Sequence, residues 1–95
     1  MSYIKPEVVK SPKGRWHLFE VVLAGQEGEG AYALGEWDGE RRIGFRWNGT
    51  GDNKIGNPQS RGLPTWTILD ERLYAAVIDI LPSGKQEIAK MYLRM

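Results

Sequence analysis

The sequence predicts an α+β fold in which a curved antiparallel sheet of about four strands is followed by a helix packed on one face. Asp38-Gly39 stands between two alternating runs of residues, which is a strong signal for a β-hairpin. A run rich in β-branched and aromatic residues precedes the hairpin, and an amphipathic run of helical spacing follows it. The 95 residues, 41% of them apolar, indicate a single domain over residues 1–95.

The chain begins with an arm and a first strand. Residues 1–13 contain Pro6 and Pro12 and are predicted to form an extended arm. Residues 15–25, RWHLFEVVLAG, are rich in strand-forming residues and predict a strand that ends at Gly25. An acidic turn over residues 26–30 leads into the hairpin. The sheet and the helix that follows it are therefore expected to occupy residues 14–81.

The turn at Asp38 and Gly39 predicts which hairpin residues face each other. If these two residues form the loop, positions whose numbers sum to 77 are opposite and share a face. The face expected to be the core carries the large apolar side chains of Tyr32, Leu34, Ile43, Phe45 and Trp47. The other face is expected to be flat and to display two arginines; it carries Ala31, Ala33, Gly35, Gly44, Arg42 and Arg46. Alternatively, its glycines allow a further layer to pack there.

A long loop, a strand and a helix follow the hairpin. The loop after Trp47 covers about fifteen residues, a length typical of functional or mobile segments. Residues 63–69, LPTWTIL, predict a fourth strand. Asp70 is expected to cap a helix over residues 71–81, whose sheet-covering face comprises Leu73, Ala76, Val77, Ile80 and Leu81. For the C-terminal extension, residues 82–95, a short helix and a last strand both remain open.

The residue types present do not predict an enzyme. The chain has no cysteine and one histidine, His17 in the middle of a strand, so the common nucleophile and base pairs are missing. Asp52, Asn53 and Asn57 lack the acidic density and spacing of a calcium loop. We therefore predict no catalytic residue, no metal ligand and no cofactor. No apolar run reaches the roughly 18 residues of a membrane span, and without cysteines or a secretory signal we expect a cytoplasmic protein without a membrane partner.

The distribution of charge favours a polyanionic ligand. The formal net charge is +1, but residues 21–40 carry five acids and no base, whereas residues 41–61 carry five bases and one acid. The stretch GNPQSRGLPTW, residues 56–66, is expected to hold a preorganised cluster of hydrogen-bond donors away from the sheet. Together with the flat hairpin face and a stacking tryptophan, this cluster predicts a nucleic-acid site that comprises Arg42, Arg46, Lys54, Gln59, Ser60, Arg61 and Trp66.

The segments EWDGERRIGFRW and RGLPTWTILDERLYAAVIDIL resemble the transcriptional-coactivator fold that binds single-stranded DNA and is related to the whirly architecture. The resemblance covers residues 29–81 and implies a curved sheet followed by a helix, and a homodimer whose two sheets form a groove. It also implies that Arg42, Arg46 and Arg61 face nucleic acid. The loop departs from that family, because GNPQSRG stands where the family has a lysine-rich stretch. The same loop stretch also resembles stretches of small bacterial proteins, which implies no activity.

Two functions are consistent with these patterns. The first is a non-enzymatic domain that binds single-stranded DNA or RNA and acts in transcription or DNA metabolism. The alternative is a protein-interaction module, an accessory or inhibitory factor, whose protein partner contacts the same loop and sheet face.

Overall fold

The tight reversal at Asp38 and Gly39 sets the register of the sheet. Both residues have positive φ angles, 52° and 85°, as a type I′ turn requires. On either side of them, β2 (Gly30–Trp37) and β3 (Glu40–Trp47) pair from Trp37 opposite Glu40 to Gly30 opposite Trp47. Every pair sums to 77, so the predicted register is confirmed.

The computed structural model describes residues 3–95, and it confirms the α+β fold class. In the four-stranded antiparallel sheet the order is β1-β2-β3-β6, with β1 at Trp16–Leu23 and β6 at Thr67–Ile68. The single strand predicted over residues 63–69 is divided, because β5 (Leu63–Pro64) pairs instead with β4 (Gln59–Ser60) in a separate hairpin. Among residues 3–95, no helix is both long and apolar enough to cross a bilayer.

Two helices cover one face of the sheet. Asp70 accepts a hydrogen bond from the backbone N–H of Arg72 and so caps a 3₁₀ turn, Glu71–Leu73, that leads into α1 (Tyr74–Asp79). The C-terminal extension is a helix, α2 (Ser83–Leu93), which resolves the open choice. The buried residues of this layer join Val22, Leu34 and Ile43 of the sheet in one core; they are Tyr74, Val77, Ile78, Leu81 and Ala89.

The predicted inner face of α1 is partly wrong. Leu73 and Ile80 are half exposed, at 50% and 56%, and Tyr74 and Ile78 are buried in their place. The hydroxyl of Tyr74 accepts a hydrogen bond from the backbone N–H of Ile43, which orients the helix on the sheet. A tyrosine whose hydroxyl is hydrogen-bonded buries more apolar area than a leucine does. The helix is therefore oriented with Tyr74, and not Leu73, toward the sheet.

The predicted flat, exposed hairpin face is also wrong, because a second core covers it. Ala31 and Ala33 are fully buried beneath Trp16, Trp66 and residues of the arm. The two tryptophan rings pack with their centroids 6.2 Å apart. The small residues of this face therefore make room for indole rings, which is the alternative that the glycines had suggested.

The arm packs onto this second core and covers it. Pro6 and Val9 are buried, and the chain between them forms a 3₁₀ turn, Pro6–Val8. The indole Nε1 of Trp66 donates a hydrogen bond of 2.6 Å to the carbonyl of Val9. Residues 3–13 are thus a fixed layer of the fold and not a free arm.

Replacing Gly35 with alanine should destabilise the protein strongly. A Cβ atom at this position would lie 2.5 Å from Cη2 of Trp16 and 2.7 Å from the carbonyl oxygen of His17. We expect Gly35→Ala to lower the free energy of unfolding by on the order of 2–3 kcal/mol, measured by urea denaturation. Gly84→Ala is the matched control, because a Cβ there meets no atom within 4 Å and alanine favours the helix. Equal stability of the two variants would contradict the close packing of Trp16 on β2.

Candidate functional site

Arg46 organises the long loop from the inside. Its side chain is fully buried, and its guanidinium donates hydrogen bonds to the carbonyls of Ile55, Pro58 and Thr65. Burial lowers the pKa of Arg46, yet a guanidinium remains protonated at any physiological pH. No carboxylate pairs with it among the described residues. The expectation that Arg46 contacts a ligand on an exposed face is therefore wrong: three loop carbonyls surround its charge.

The loop that Arg46 holds is folded and not open. The backbone of Asn57 exchanges hydrogen bonds of 2.7 and 3.0 Å with the backbone of Trp47, so the returning chain extends the pairing of β3. Asn48, also buried, donates from its side chain to the carbonyls of Ala24 and Gln26 and ties the loop to the turn before β2. These polar contacts depend on tertiary proximity, and no local pattern predicted them.

Arg42 points toward the helical layer. It forms ion pairs with Glu40 and Glu71, and a hydrogen bond with Tyr74 raises its pKa. Two carboxylates therefore already compensate the charge of Arg42. These contacts are with β3 and the helical layer, and not with the donors of the loop.

The tryptophans also differ from expectation. Trp66, proposed as a stacking platform, is 3% exposed and hydrogen-bonded to the arm, so it belongs to the second core. Trp47, expected on the core face, is 52% exposed and meets Phe45 edge to face. Of these two rings, Trp47 is the one with a face available for stacking.

Lys54, Gln59, Ser60 and Arg61 are exposed and lie on one folded loop. The side-chain amide of Gln59 donates to the carbonyl of Gly56 at 3.0 Å, which links the strand β4 to the loop before it. We call the exposed surface of residues 47–61, with Trp47 at its start, the loop surface.

Arg61 occupies an unusual backbone position at the tip of the β4–β5 hairpin. Its φ angle is 54° and that of Gly62 is 79°, so the pair forms a second two-residue turn with positive φ at both positions. A left-handed conformation costs a non-glycine residue about 1 kcal/mol, and asparagine or glycine would fit better. The exposed Arg61 forms no ion pair among the described residues that would offset this cost. The turn therefore places the side chain of Arg61 at the exposed tip of the hairpin.

A small polar pocket lies at the start of the loop surface. Its volume is about 200 Å³, and it is lined by Gly28, Trp47, Asn48, Gly49, Thr50, Asn53, Gly56 and Asn57. An exposed indole ring beside amide side chains and glycine backbone offers stacking together with hydrogen-bond donors and acceptors. This combination suits a planar heterocycle.

The arm continues the loop surface beyond the hairpin. A second depression of about 180 Å³ is lined by Ser11 and Pro12 of the arm and by hairpin residues that include Ser60 and Arg61. A backbone hydrogen bond of 3.2 Å from Trp66 to Ser11 holds the arm against the hairpin. Lys10 and Lys13 flank Ser11 and Pro12 in sequence and are exposed. Our site prediction omitted both lysines, because nothing in a proline-containing arm indicates that it packs beside residue 61.

Charges are distributed unequally between the two outer layers. The arm and loop, residues 3–15 and 48–66, carry six cationic side chains and two acidic ones. The helical layer, residues 69–95, carries four of each. Among the described residues, Arg15 is the one cation of the arm and loop that has an ion pair; its partner is Asp38. The hydrogen bond from Arg15 lowers the pKa of Asp38. The arm and loop layer is therefore the basic side of the protein.

Comparison of the chain with protein-family models, curated proteins and solved structures finds no match.

Removing the Arg46 side chain should unfold the loop and weaken the whole domain. Arg46→Ala leaves three carbonyls without their donor, so we expect the free energy of unfolding to fall by about 3 kcal/mol. The free energy of unfolding of Arg46→Lys should lie between those of Arg46→Ala and the native protein, because an ammonium group keeps the charge but lacks the planar donor geometry of the guanidinium. The control is Arg72→Ala, which removes an 86% exposed side chain paired with Asp70. Urea denaturation measures stability, and hydrogen exchange at the amide of Asn57 reports on the loop. Equal stability of the alanine variants at positions 46 and 72 would contradict the structural role of Arg46.

Proposed function

We propose that the protein is a non-enzymatic domain that binds single-stranded nucleic acid through the loop surface and the adjoining arm. The observation that carries the proposal is that exposed donors of the loop, Lys54, Gln59 and Arg61, lie beside the arm with its exposed lysines, while Trp47 is exposed at the start of the same loop. Donors without acidic partners suit the phosphates of the strand, and an exposed indole ring suits its bases.

The proposed site keeps the ligand predicted from the sequence, but Arg46 holds the loop in place and does not contact the ligand. Lys54, Gln59, Ser60 and Arg61 contact the strand directly. Arg46 instead shapes the loop from below. The ligand is the one implied by the resemblance to the transcriptional-coactivator fold. The contact lies on the loop surface and the arm, and not on the sheet face.

Single strands are favoured over duplexes by the exposed ring of Trp47. Trp47 and the polar pocket beside it accept an unstacked base, and bases in a duplex are not available for stacking on a side chain. We further propose that the protein acts in the cytoplasm, in transcription or DNA metabolism. The absence of cysteine is consistent with a reducing compartment.

Removing two cations of the loop surface should weaken binding and reduce its dependence on salt. For Lys54→Ala with Arg61→Ala, we expect affinity for a fluorescent single-stranded oligonucleotide to fall on the order of tenfold at about 50 mM salt. The slope of log affinity against log salt should become shallower by about 1.4, because each phosphate contact on a single strand contributes about 0.7. Fluorescence anisotropy at several salt concentrations measures both quantities, with single-stranded DNA, duplex DNA and RNA in parallel.

The matched control removes the same charge from the opposite side. Arg72→Ala with Lys90→Ala lowers the net charge equally but alters the helical layer, so it should retain nearly the native affinity. Equal losses in the two double variants would contradict the assigned surface. Absence of binding to any single strand at low salt would overturn the proposed function.

A protein partner is the second candidate, and Leu63 favours it. This side chain is 60% exposed and lies opposite Ser60, directly beside the turn that carries Arg61. A protein contact would bury the apolar area of this side chain, whereas the side chain contributes little to contacts with phosphate.

Leu63→Ala separates the two candidates. If the hairpin binds a protein, affinity purification after nuclease treatment should recover one partner with the native chain and lose it with the variant. If the hairpin binds nucleic acid, Leu63→Ala should lower the affinity for the oligonucleotide far less than Lys54→Ala with Arg61→Ala does, because an aliphatic side chain makes no charge-assisted contact with phosphate. Recovery of the same partner by native and variant chains would contradict a protein contact at the hairpin.

A homodimer remains part of the proposal. A groove of about 370 Å³ lies between α1 and the sheet, and its lining is Tyr32, Phe45, Leu69, Leu73, Ala76, Val77 and Ile80. An apolar groove of this kind is a surface that a second copy would cover. Dimerisation there would leave the arm and Arg61 free to contact a strand.

A further inference from the structure

A shallow pocket lies where the arm meets β1. Its volume is about 360 Å³, and its lining is Lys10, Lys13, Gly14, Trp16, His17 and Leu18. Because β1 is at the edge of the four-stranded sheet, no neighbouring strand of that sheet covers this side. The three polar side chains, Lys10, Lys13 and His17, are exposed, and none forms an ion pair among the described residues.

The lining has the chemistry of a phosphate site. Each lysine supplies an ammonium group with three N–H donors and a full positive charge. No carboxylate belongs to the lining. Leu18 and the ring of Trp16 exclude water from part of the pocket, which strengthens electrostatic attraction to an anion.

The backbone that carries the two lysines is anchored on both sides. Before Lys10, the carbonyl of Val9 accepts a hydrogen bond from the indole N–H of Trp66. Around Lys13, the backbone N–H of Trp16 donates a hydrogen bond of 2.9 Å to the carbonyl of Pro12. The ammonium groups are therefore presented from a fixed segment, which reduces the entropy lost when they bind a ligand.

We propose that this pocket binds a phosphate monoester at the end of a nucleic-acid strand. The inference rests on the proposed function, because the strand would reach the pocket from the hairpin tip. Ser11 and Pro12, which separate the two lysines in sequence, line a depression together with Ser60 and Arg61. The loop surface and the pocket are thus neighbours along the arm.

The number of donors indicates a terminal phosphate. A monoester carries about 1.5 to 2 negative charges and three terminal oxygens. Two ammonium groups match the charge of a monoester, whereas an internal diester has one charge and two free oxygens. The pocket is therefore expected to discriminate strand ends and not sequence.

Oligonucleotides of one sequence with different ends test the assignment. A strand with a 5′-phosphate, a strand with a 3′-phosphate and a strand with two hydroxyl ends compete for the native protein in an anisotropy assay. We expect one phosphorylated strand to bind on the order of tenfold more tightly than the hydroxyl-ended strand, because charge-assisted hydrogen bonds are strong. The better competitor identifies which end occupies the pocket.

Variants of the arm locate the effect. Lys10→Ala with Lys13→Ala should abolish the preference for the phosphorylated strand and lower its affinity to that of the hydroxyl-ended one. Lys5→Ala is the control, because Lys5 is an exposed cation of the same arm that does not line the pocket. It should keep the preference.

The outcomes separate this inference from the proposed function. If all three strands bind the native protein equally, the pocket assignment is overturned and the proposed function stands. If the preference survives in the double lysine variant, the pocket is also overturned. If no strand binds, the proposed function itself is overturned.

Discussion

The buried guanidinium of Arg46 is the interaction on which the arm-and-loop side of this protein depends. A long loop with several glycines and few apolar residues would not fold without a partner for its backbone. Arg46 supplies that partner, because one planar group donates to the carbonyls of Ile55, Pro58 and Thr65. The charge is costly to bury, and the three carbonyls offset part of that cost by accepting hydrogen bonds from the two terminal nitrogens.

The second constraint is the space above the small face of the hairpin. Gly35 and Gly44 lie against the ring of Trp16, and Trp66 closes the same cavity from the loop side. Two indole rings and the arm therefore build a core opposite the helices. This second core allows an exposed loop to stay close to the sheet, and it gives the basic side of the protein a rigid foundation.

The three arginines of the predicted site have different surroundings in the structure. Arg42 balances Glu40 and Glu71 beside the helix, Arg46 supports the loop, and Arg61 faces the solvent from a turn that disfavours it. The three residues are chemically identical, so their surroundings decide their roles.

The sequence by itself determined the fold class, the turn at Asp38-Gly39 with its register, the cap at Asp70 and the exposed donors of the loop. These features are local, since turn chemistry and alternation act within a few residues. Only the tertiary structure decided that Arg46 and Trp66 are buried, that Tyr74 displaces Leu73 from the core, and that Lys10 and Lys13 lie beside the hairpin. Those outcomes depend on contacts between segments far apart in the chain. Whether a face is solvent-exposed is a property of what packs on it, and residue alternation in one strand carries no information about that second layer.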